Sequence, residues 1–160
     1  RFSLTLALGT NAPSFALPDT EGNIQSLSDY KGKNLVVAFF PAVFSGVCDT
    51  EMCVFRDSLA ELNSLDTDVV AISVDMRFAT KEFVDKHGLG FPVLSDYRRQ
   101  AIKSYDVEFH DFAGMDGLTV ARRSVFVLDK TGVIQWVWEA PAQGEEPHYG
   151  DVKNAVRSLS

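Results

Sequence analysis

The chain has 160 residues, of which 46% are hydrophobic and 23% charged, and it carries a formal net charge of −7. This length and composition predict a single globular domain over residues 1–160, with enough chain to bury a substantial core. The acidic balance argues against nucleic acid or an anionic membrane as a partner, and no segment approaches the roughly 20 apolar residues of a membrane span.

The N-terminus and the cysteine content bear on the compartment. Phe2 to Leu8 is mildly apolar, but Arg1 alone is a poor charged region and no convincing cleavage pattern follows, so we expect no signal peptide. Cys48 and Cys53 are the only cysteines. Two closely spaced cysteines do not resemble a secreted disulfide framework, so we expect a cytoplasmic protein whose thiols are kept reduced.

Strands and helices alternate along the chain, which predicts an α/β fold with helices on the faces of a sheet. The expected elements, in chain order, are a strand at 35–40, a helix at about 49–64, a strand at 69–74, helices at 79–87 and 97–105, strands at 124–128 and 133–138, and a helix at 148–159. We expect a loop or short hairpin at residues 108–122. Gly132 suits a tight turn between the last two strands.

The first strand and helix flank a cysteine. Leu35 to Phe40 is continuously apolar, as a strand buried on both faces requires. From Val54 to Leu65 apolar residues recur at helical intervals. Cys48 therefore falls in the first turn of the helix, where unpaired N–H groups and the positive end of the helix dipole favour an anion such as a thiolate.

The spacing of the two cysteines limits what they can do together. Cys48 and Cys53 form neither a C-x-x-C dithiol nor a zinc site, and the three histidines lie far away in sequence and receive no chemistry. Residues five apart in a helix are rotated by roughly 140°, with Cα atoms about 8 Å apart or more, beyond the roughly 7 Å limit for a disulfide. The pair could close only if the first turn unwinds, which indicates a transient redox couple. The plain alternative is two small buried apolar residues.

The pattern Pro41-x-x-x-Ser45-x-x-Cys48 resembles the active-site signature of the peroxiredoxins, with serine where threonine is more common. The sequence from Phe40 to Cys48 is most similar to the AhpE-like and bacterioferritin-comigratory-protein branch of that family. Four further segments resemble the family in the right order, at residues 12–33, 71–75, 91–96 and 123–129. The resemblance covers about residues 8–159 and implies a thioredoxin-like fold, with a central mixed β-sheet flanked by helices and an N-terminal hairpin.

The resemblance also implies an activity. Cys48 would attack hydrogen peroxide or an organic hydroperoxide and become a sulfenic acid, and Cys53 stands where many such proteins have their resolving cysteine. The resulting disulfide would be reduced by thioredoxin or a glutaredoxin-like protein. No metal, haem or flavin cofactor is implied, and the protein would be a monomer or a homodimer.

Arg123 resembles the second essential residue of the family, an arginine that would lower the pKa of the Cys48 thiol. Arg122 and Arg56 are its competitors. Alternation along the strand puts Arg122 and Arg123 on opposite faces, so only one of them can meet the cysteine.

Other residues near the thiol could complete a site. Ser45 could offer its hydroxyl to sulfur or peroxide, or cap the helix. The backbone N–H groups of Val47 and Cys48 could stabilise charge on the leaving oxygen. Pro41 would shape the loop and limit water. Glu51 could orient an arginine, or be a plain acid at a helix start.

Two other functions remain open. The first is a dithiol–disulfide oxidoreductase on the same fold, although its usual C-x-x-C is missing. The second is a non-enzymatic redox sensor or holdase that transmits oxidation by unwinding the helix. A peroxide consumption assay separates both from a peroxidase.

Overall fold

The computed structural model describes residues 6–159, so most of the apolar stretch from Phe2 lies outside the described residues. The elements in chain order are β1 (Ala16–Pro18), β2 (Ile24–Ser26), β3 (Asn34–Phe39), α1 (Val47–Ser64), β4 (Thr67–Ser73), α2 (Arg77–His87), β5 (Val93–Ser95), α3 (Gln100–Ser104), β6 (Glu108–Phe109), β7 (Val120–Ala121), β8 (Ser124–Leu128), β9 (Ile134–Glu139) and α4 (Tyr149–Arg157). Short 3-10 turns occupy Leu27–Tyr30 and Phe112–Gly114.

A five-stranded mixed sheet forms the centre of the molecule, with strand order β5-β4-β3-β8-β9. The middle strand, β3, is parallel to β4 and antiparallel to β8, and all six of its residues are buried. A strand with neighbours on both edges and a covered surface on both faces needs apolar residues throughout. The apolar run at 35–40 therefore marks the central strand, and the predicted α/β fold is confirmed.

Side chains from the two faces of β3 enter two separate apolar clusters. Val37 and Phe39 pack with the N-terminal hairpin and α3 on one face. Val36 and Ala38 pack on the other face with α1, α2 and α4, and this second cluster contains Cys48. The thiol is thus part of the core between the sheet and three helices.

Both predicted hairpins are present. β1 and β2 pair antiparallel at the N-terminus, and the stretch at 108–122 contains the antiparallel pair β6 and β7. No helix within residues 6–159 combines the length and the apolar character needed to cross a membrane.

The helix expected at 97–105 is shorter than predicted and covers only Gln100–Ser104. Arg99 has φ 59°, a left-handed conformation that a right-handed helix cannot contain. The Asp96 carboxylate accepts the N–H groups of Ala101 and Ile102 and so satisfies the start of the helix. Residues before Gln100 therefore form a turn and not the first turn of the expected helix.

Candidate active site

The loop between β3 and α1 has a restricted backbone. Phe44 and Gly46 have φ values of 61° and 75°, a region that residues with a side chain rarely occupy. The N–H of Val43 donates to Oδ2 of Asp75 at 3.0 Å, and the Ser73 hydroxyl donates to the same oxygen at 2.8 Å. Asp75 therefore anchors this loop to the residues that follow β4.

Cys48 lies in the first turn of α1 and is fully buried. Gly46 is the N-cap and no side chain caps the helix, so Ser45 does not have the capping role. The Ser45 hydroxyl and the Ala42 N–H instead act to lower the pKa of the Cys48 thiol. The N–H of Val47 donates to the Ser45 carbonyl at 2.9 Å, so it already has an acceptor in this structure.

Arg123 bridges the thiol and a buried carboxylate. Its Nη2 donates to Cys48 Sγ at 3.0 Å, and its Nη1 donates to Glu51 Oε1 at 2.8 Å. Ser124 pairs with Phe39 across β8 and β3, so the residue before β8 falls beside the loop that follows β3. Arg123 is 5% exposed and Glu51 is fully buried in the second turn of α1. Glu51 is therefore not a helix-start acid but the partner that fixes the guanidinium.

The two competing arginines point elsewhere. Arg122 lies 3.0 Å from Glu139 through its Nε, and its guanidinium stacks over the Phe109 ring at 5.0 Å. Arg56 pairs with Asp57 at 2.9 Å and donates to the carbonyl of His87 at the end of α2. The structure thus places Arg123 alone of these three against the thiol.

Burial and the charge of Arg123 have opposite effects on the pKa values of Cys48 and Glu51. Burial raises the pKa of the Cys48 thiol, whereas Arg123, the Ser45 hydroxyl and the Ala42 N–H act to lower it. The pKa of the thiol is therefore raised in this closed site, where the thiol is removed from water, although Arg123 acts in the direction expected from the sequence. Burial likewise raises the pKa of Glu51 to about 7, against the opposite effect of Arg123.

The Arg123 guanidinium remains charged in this environment. Burial acts to lower the pKa of Arg123, but Glu51 and Cys48 outweigh it and the pKa is raised. A permanent positive charge 3.0 Å from the sulfur favours the thiolate over the thiol.

Pro41 is buried where the loop leaves β3. Together with Arg122, Arg123 and Ala140 it lines a small pocket on the outer side of the guanidinium. Cys48 does not line this pocket.

Cys53 does not join this group. Both cysteines are free, and α1 is continuous from Val47 to Ser64 across them. Cys48 faces the sheet, whereas Cys53 is half-buried and faces α2, where its Sγ lies 3.6 Å from His87 Nδ1. The rotation expected from the five-residue spacing is present.

Two polar contacts near the site were not predicted. Asp75 follows β4, the parallel neighbour of β3, and parallel neighbours end at the same edge of a sheet, so its position beside the loop could have been inferred. His87 meets Cys53 through the packing of α2 on α1, which no sequence motif signals.

The fold and the site together define a class of protein. A buried thiol at the start of a helix, held by a buried guanidinium beside a mixed sheet, is typical of thiol-based redox proteins.

Comparison with known proteins gives the family. Residues 8–137 match the model of the AhpC/TSA family. Two proteins named peroxiredoxin Q, chloroplastic, from Oryza sativa subsp. japonica and Sedum lineare, are each 36% identical over 94% of this chain and over 67% and 78% of their own lengths. The chain therefore belongs to the AhpC/TSA family and is a peroxiredoxin, a thiol peroxidase, which confirms the resemblance.

Solved structures agree on the fold. A peroxiredoxin-like protein from Aquifex aeolicus superposes with a TM-score of 0.86 at 28% identity, over 97% of this chain and 88% of that one. Peroxidoxin BcpB from Mycobacterium tuberculosis gives 0.85 at 24% identity, over 96% and 97%. The predicted thioredoxin-like peroxiredoxin fold is confirmed.

Proposed function

We propose that Cys48 is the residue that reduces hydrogen peroxide or an organic hydroperoxide. The thiolate sulfur attacks one peroxide oxygen and the O–O bond breaks. Cys48 becomes a sulfenic acid, and the leaving oxygen takes a proton and departs as water or alcohol. The observation that carries this proposal is the 3.0 Å contact between Arg123 and the sulfur.

Arg123 would stabilise both the attacking sulfur and the charge that develops on the leaving oxygen. Glu51 occupies Nη1, so the guanidinium plane is fixed before substrate arrives. A group that is already oriented spends no free energy on reorganisation during the reaction. Ser45 would supply a further hydrogen bond through its hydroxyl.

A peroxide can reach the sulfur only if its cover moves, because Cys48 is fully buried. The backbone of residues 41–46, which precede Cys48, includes two positive φ values, and this segment is held by the Val43 hydrogen bond to Asp75 and by packing of the Phe44 ring against Phe83. We assign to this loop the opening that admits substrate.

Cys53 would resolve the sulfenic acid by forming a disulfide with Cys48, and a thioredoxin or glutaredoxin-like dithiol would reduce that disulfide. The two thiols face opposite sides of one continuous helix. Resolution therefore requires the first turn of α1 to unwind, which is plausible because helix ends open at a low free-energy cost.

Peroxide consumption by Cys48→Ser tests the assignment of the reacting thiol. A hydroxyl of similar size does not ionise near neutral pH, so we expect peroxide reduction to be lost while thermal unfolding is unchanged. Cys53→Ser is the matched control and should retain the first turnover. Rapid peroxide consumption by the Cys48 variant, or disulfide reduction without peroxide consumption by the parent, would contradict the proposal.

A further inference from the structure

A cysteine, a histidine and an aspartate form a line on the side of α1 that faces away from the thiol–arginine site. Cys53 Sγ lies 3.6 Å from His87 Nδ1, and His87 Nε2 lies 3.1 Å from Asp49 Oδ2. Cys53 and Asp49 are one helical turn apart on α1, and His87 is the last residue of α2. The line therefore depends on the packing of two helices.

The contacts of His87 fix which nitrogen faces the thiol. A carboxylate only accepts hydrogen bonds, so the Nε2–H of the ring donates to Asp49. The neutral ring then has its lone pair on Nδ1, directed at Cys53. The ring also packs edge-on against Phe83 at 4.8 Å between centroids, and Arg56 donates to the His87 carbonyl oxygen at 2.6 Å.

We propose that His87 is the general base that activates Cys53 for resolution, with Asp49 as the positioning residue that orients the ring. The inference rests on the proposed function, since it requires Cys53 to attack Cys48. His87 Nδ1 takes the Cys53 proton as the sulfur attacks the sulfenic sulfur. The S–S bond forms, the S–O bond breaks, and the departing hydroxide takes a proton to become water. Cys53 is oxidised and the sulfenic sulfur is reduced.

Several features favour a base over a purely structural histidine. His87 and Asp49 are 16% and 25% exposed in their side chains, so the pair is shielded but reachable by water that exchanges protons. Arg56 donates to the His87 carbonyl oxygen at 2.6 Å and so helps to hold His87 beside Cys53. Within residues 6–159, no group of three or more His, Cys, Asp and Glu side chains is placed to hold a metal ion.

The position of His87 also suits the order of events. Cys53 lies beyond the first turn of α1, and His87 belongs to another helix. The base can therefore stay beside Cys53 while the turn that carries Cys48 opens. Asp49 lies within that turn, so its bond to His87 turns Nδ1 of the ring towards Cys53 while the turn is closed.

Timed quenching separates the two chemical steps. Reduced protein is mixed with one equivalent of hydrogen peroxide, quenched at intervals with a sulfenic-acid trap and a thiol alkylator, and analysed by intact mass. General bases typically contribute 10²-fold or more, so His87→Gln should slow disulfide formation by at least about tenfold and accumulate trapped sulfenic acid. The glutamine amide can keep the bond to Asp49 but cannot take a proton, and added imidazole should restore part of the rate.

His110→Gln is the matched control, because His110 is exposed and bonded to Thr119 away from α1. It should form the disulfide at the parental rate. Disulfide formation at the parental rate or faster in His87→Gln overturns the inference. A faster rate would show that His87 only stabilises the closed first turn of α1. A parent that forms no Cys48–Cys53 disulfide overturns both this inference and the proposed resolving step. If the parent and His87→Gln form the disulfide at the same rate, only the role of His87 as a base is overturned.

Alkylation of Cys53 gives a second measurement that requires no peroxide. In a Cys48→Ser background, iodoacetamide should modify Cys53 several-fold more slowly after His87→Gln, because the thiolate is the nucleophile. Asp49→Asn should slow it less, since the ring keeps a partner. A variant that merely loosened the packing would expose Cys53 and speed alkylation, which would contradict the role of a base.

Discussion

Arg123 holds two buried groups with the two arms of one guanidinium. Its contacts to Cys48 and Glu51 measure 3.0 and 2.8 Å, and together they fix the plane of the fork. Lysine carries the same charge but has no planar pair of donors. The site therefore depends on the shape of the side chain as well as on its charge.

Replacing Arg123 with lysine should lower the rate of peroxide reduction by about 10²-fold or more, in line with the loss of a preorganised electrostatic group. Single-turnover oxidation of Cys48 measures it. Arg122→Lys is the control and should react at nearly the parental rate, because Arg122 pairs with Glu139. If Arg122→Lys lost activity while Arg123→Lys kept it, the assignment of the arginine would be wrong.

Folding strongly alters the ionisation of Glu51. Burial raises its pKa from 4.5 to about 7, even with Arg123 beside it. An acid with a raised pKa in the folded state favours folding while it is protonated. That contribution is fully present below about pH 4.5 and is lost as the pH rises to about 7.

Unfolding by denaturant between pH 4.5 and 8 tests the contribution of the raised Glu51 pKa to stability. Parental stability relative to Glu51→Gln should fall across that window by up to about 3 kcal/mol, from the size of the pKa change, and then level off. Glutamine does not titrate, so the variant lacks this component. A difference that rises with pH, or none at all, would contradict the raised pKa.

At the scale of the helix, α1 presents two cysteines to two different neighbours. The residues of α1 that face the sheet recur at helical spacing and include Cys48, whereas Cys53 faces α2. The sequence spacing predicted this rotation, because it follows from helix geometry alone. The neighbour of Cys53 could not be predicted, because His87 is 34 residues away and meets it only through helix packing.

Cys53→Ser should leave the first turnover intact, allow the sulfenic acid to be trapped, and make over-oxidation to the sulfinic acid easier. The reason is that no second thiol remains to consume the sulfenic acid. Turnover linked to thioredoxin should also drop.

Hydrogen exchange follows the helix itself. On oxidation of the parent, amides from residue 48 to 55 should exchange faster, since a disulfide between these positions is incompatible with the intact first turn. The Cys53 variant should show no such increase. Equal protection in reduced and oxidised parent would make Cys53 a half-buried structural residue.

At the scale of the whole molecule, local patterns predicted the strands and helices better than their junctions. The apolar run of β3 identified the centre of the sheet, because a fully covered strand has no other composition available. The late start of α3 after Arg99 and the capping of α1 by Gly46 were missed. Both depend on left-handed backbone that a non-glycine residue or a loop adopts only in its tertiary context.

The site also has parts that the sequence predicted and a part that it could not predict. Cys48 and Arg123 could be paired from sequence, because strand alternation allows only one of Arg122 and Arg123 to meet the thiol and the resemblance identifies it as Arg123. The raised pKa of the Cys48 thiol could not, because burial depends on how the helices close over the sheet. Charge and helix position argued for the thiolate, and the structure adds the opposing effect of removal from water.

Intact mass after one equivalent of hydrogen peroxide tests the central claim most directly, namely that Cys48 is oxidised and Cys53 then resolves it. We expect the reduced parent to lose two hydrogen atoms in mass and to carry no alkylatable thiol. The Cys53→Ser variant should instead gain one oxygen atom, and this oxidised form should react with a sulfenic-acid trap. A parent that gains one oxygen and keeps a free Cys53, or a Cys48→Ser variant that consumes peroxide as fast as the parent, would contradict the account.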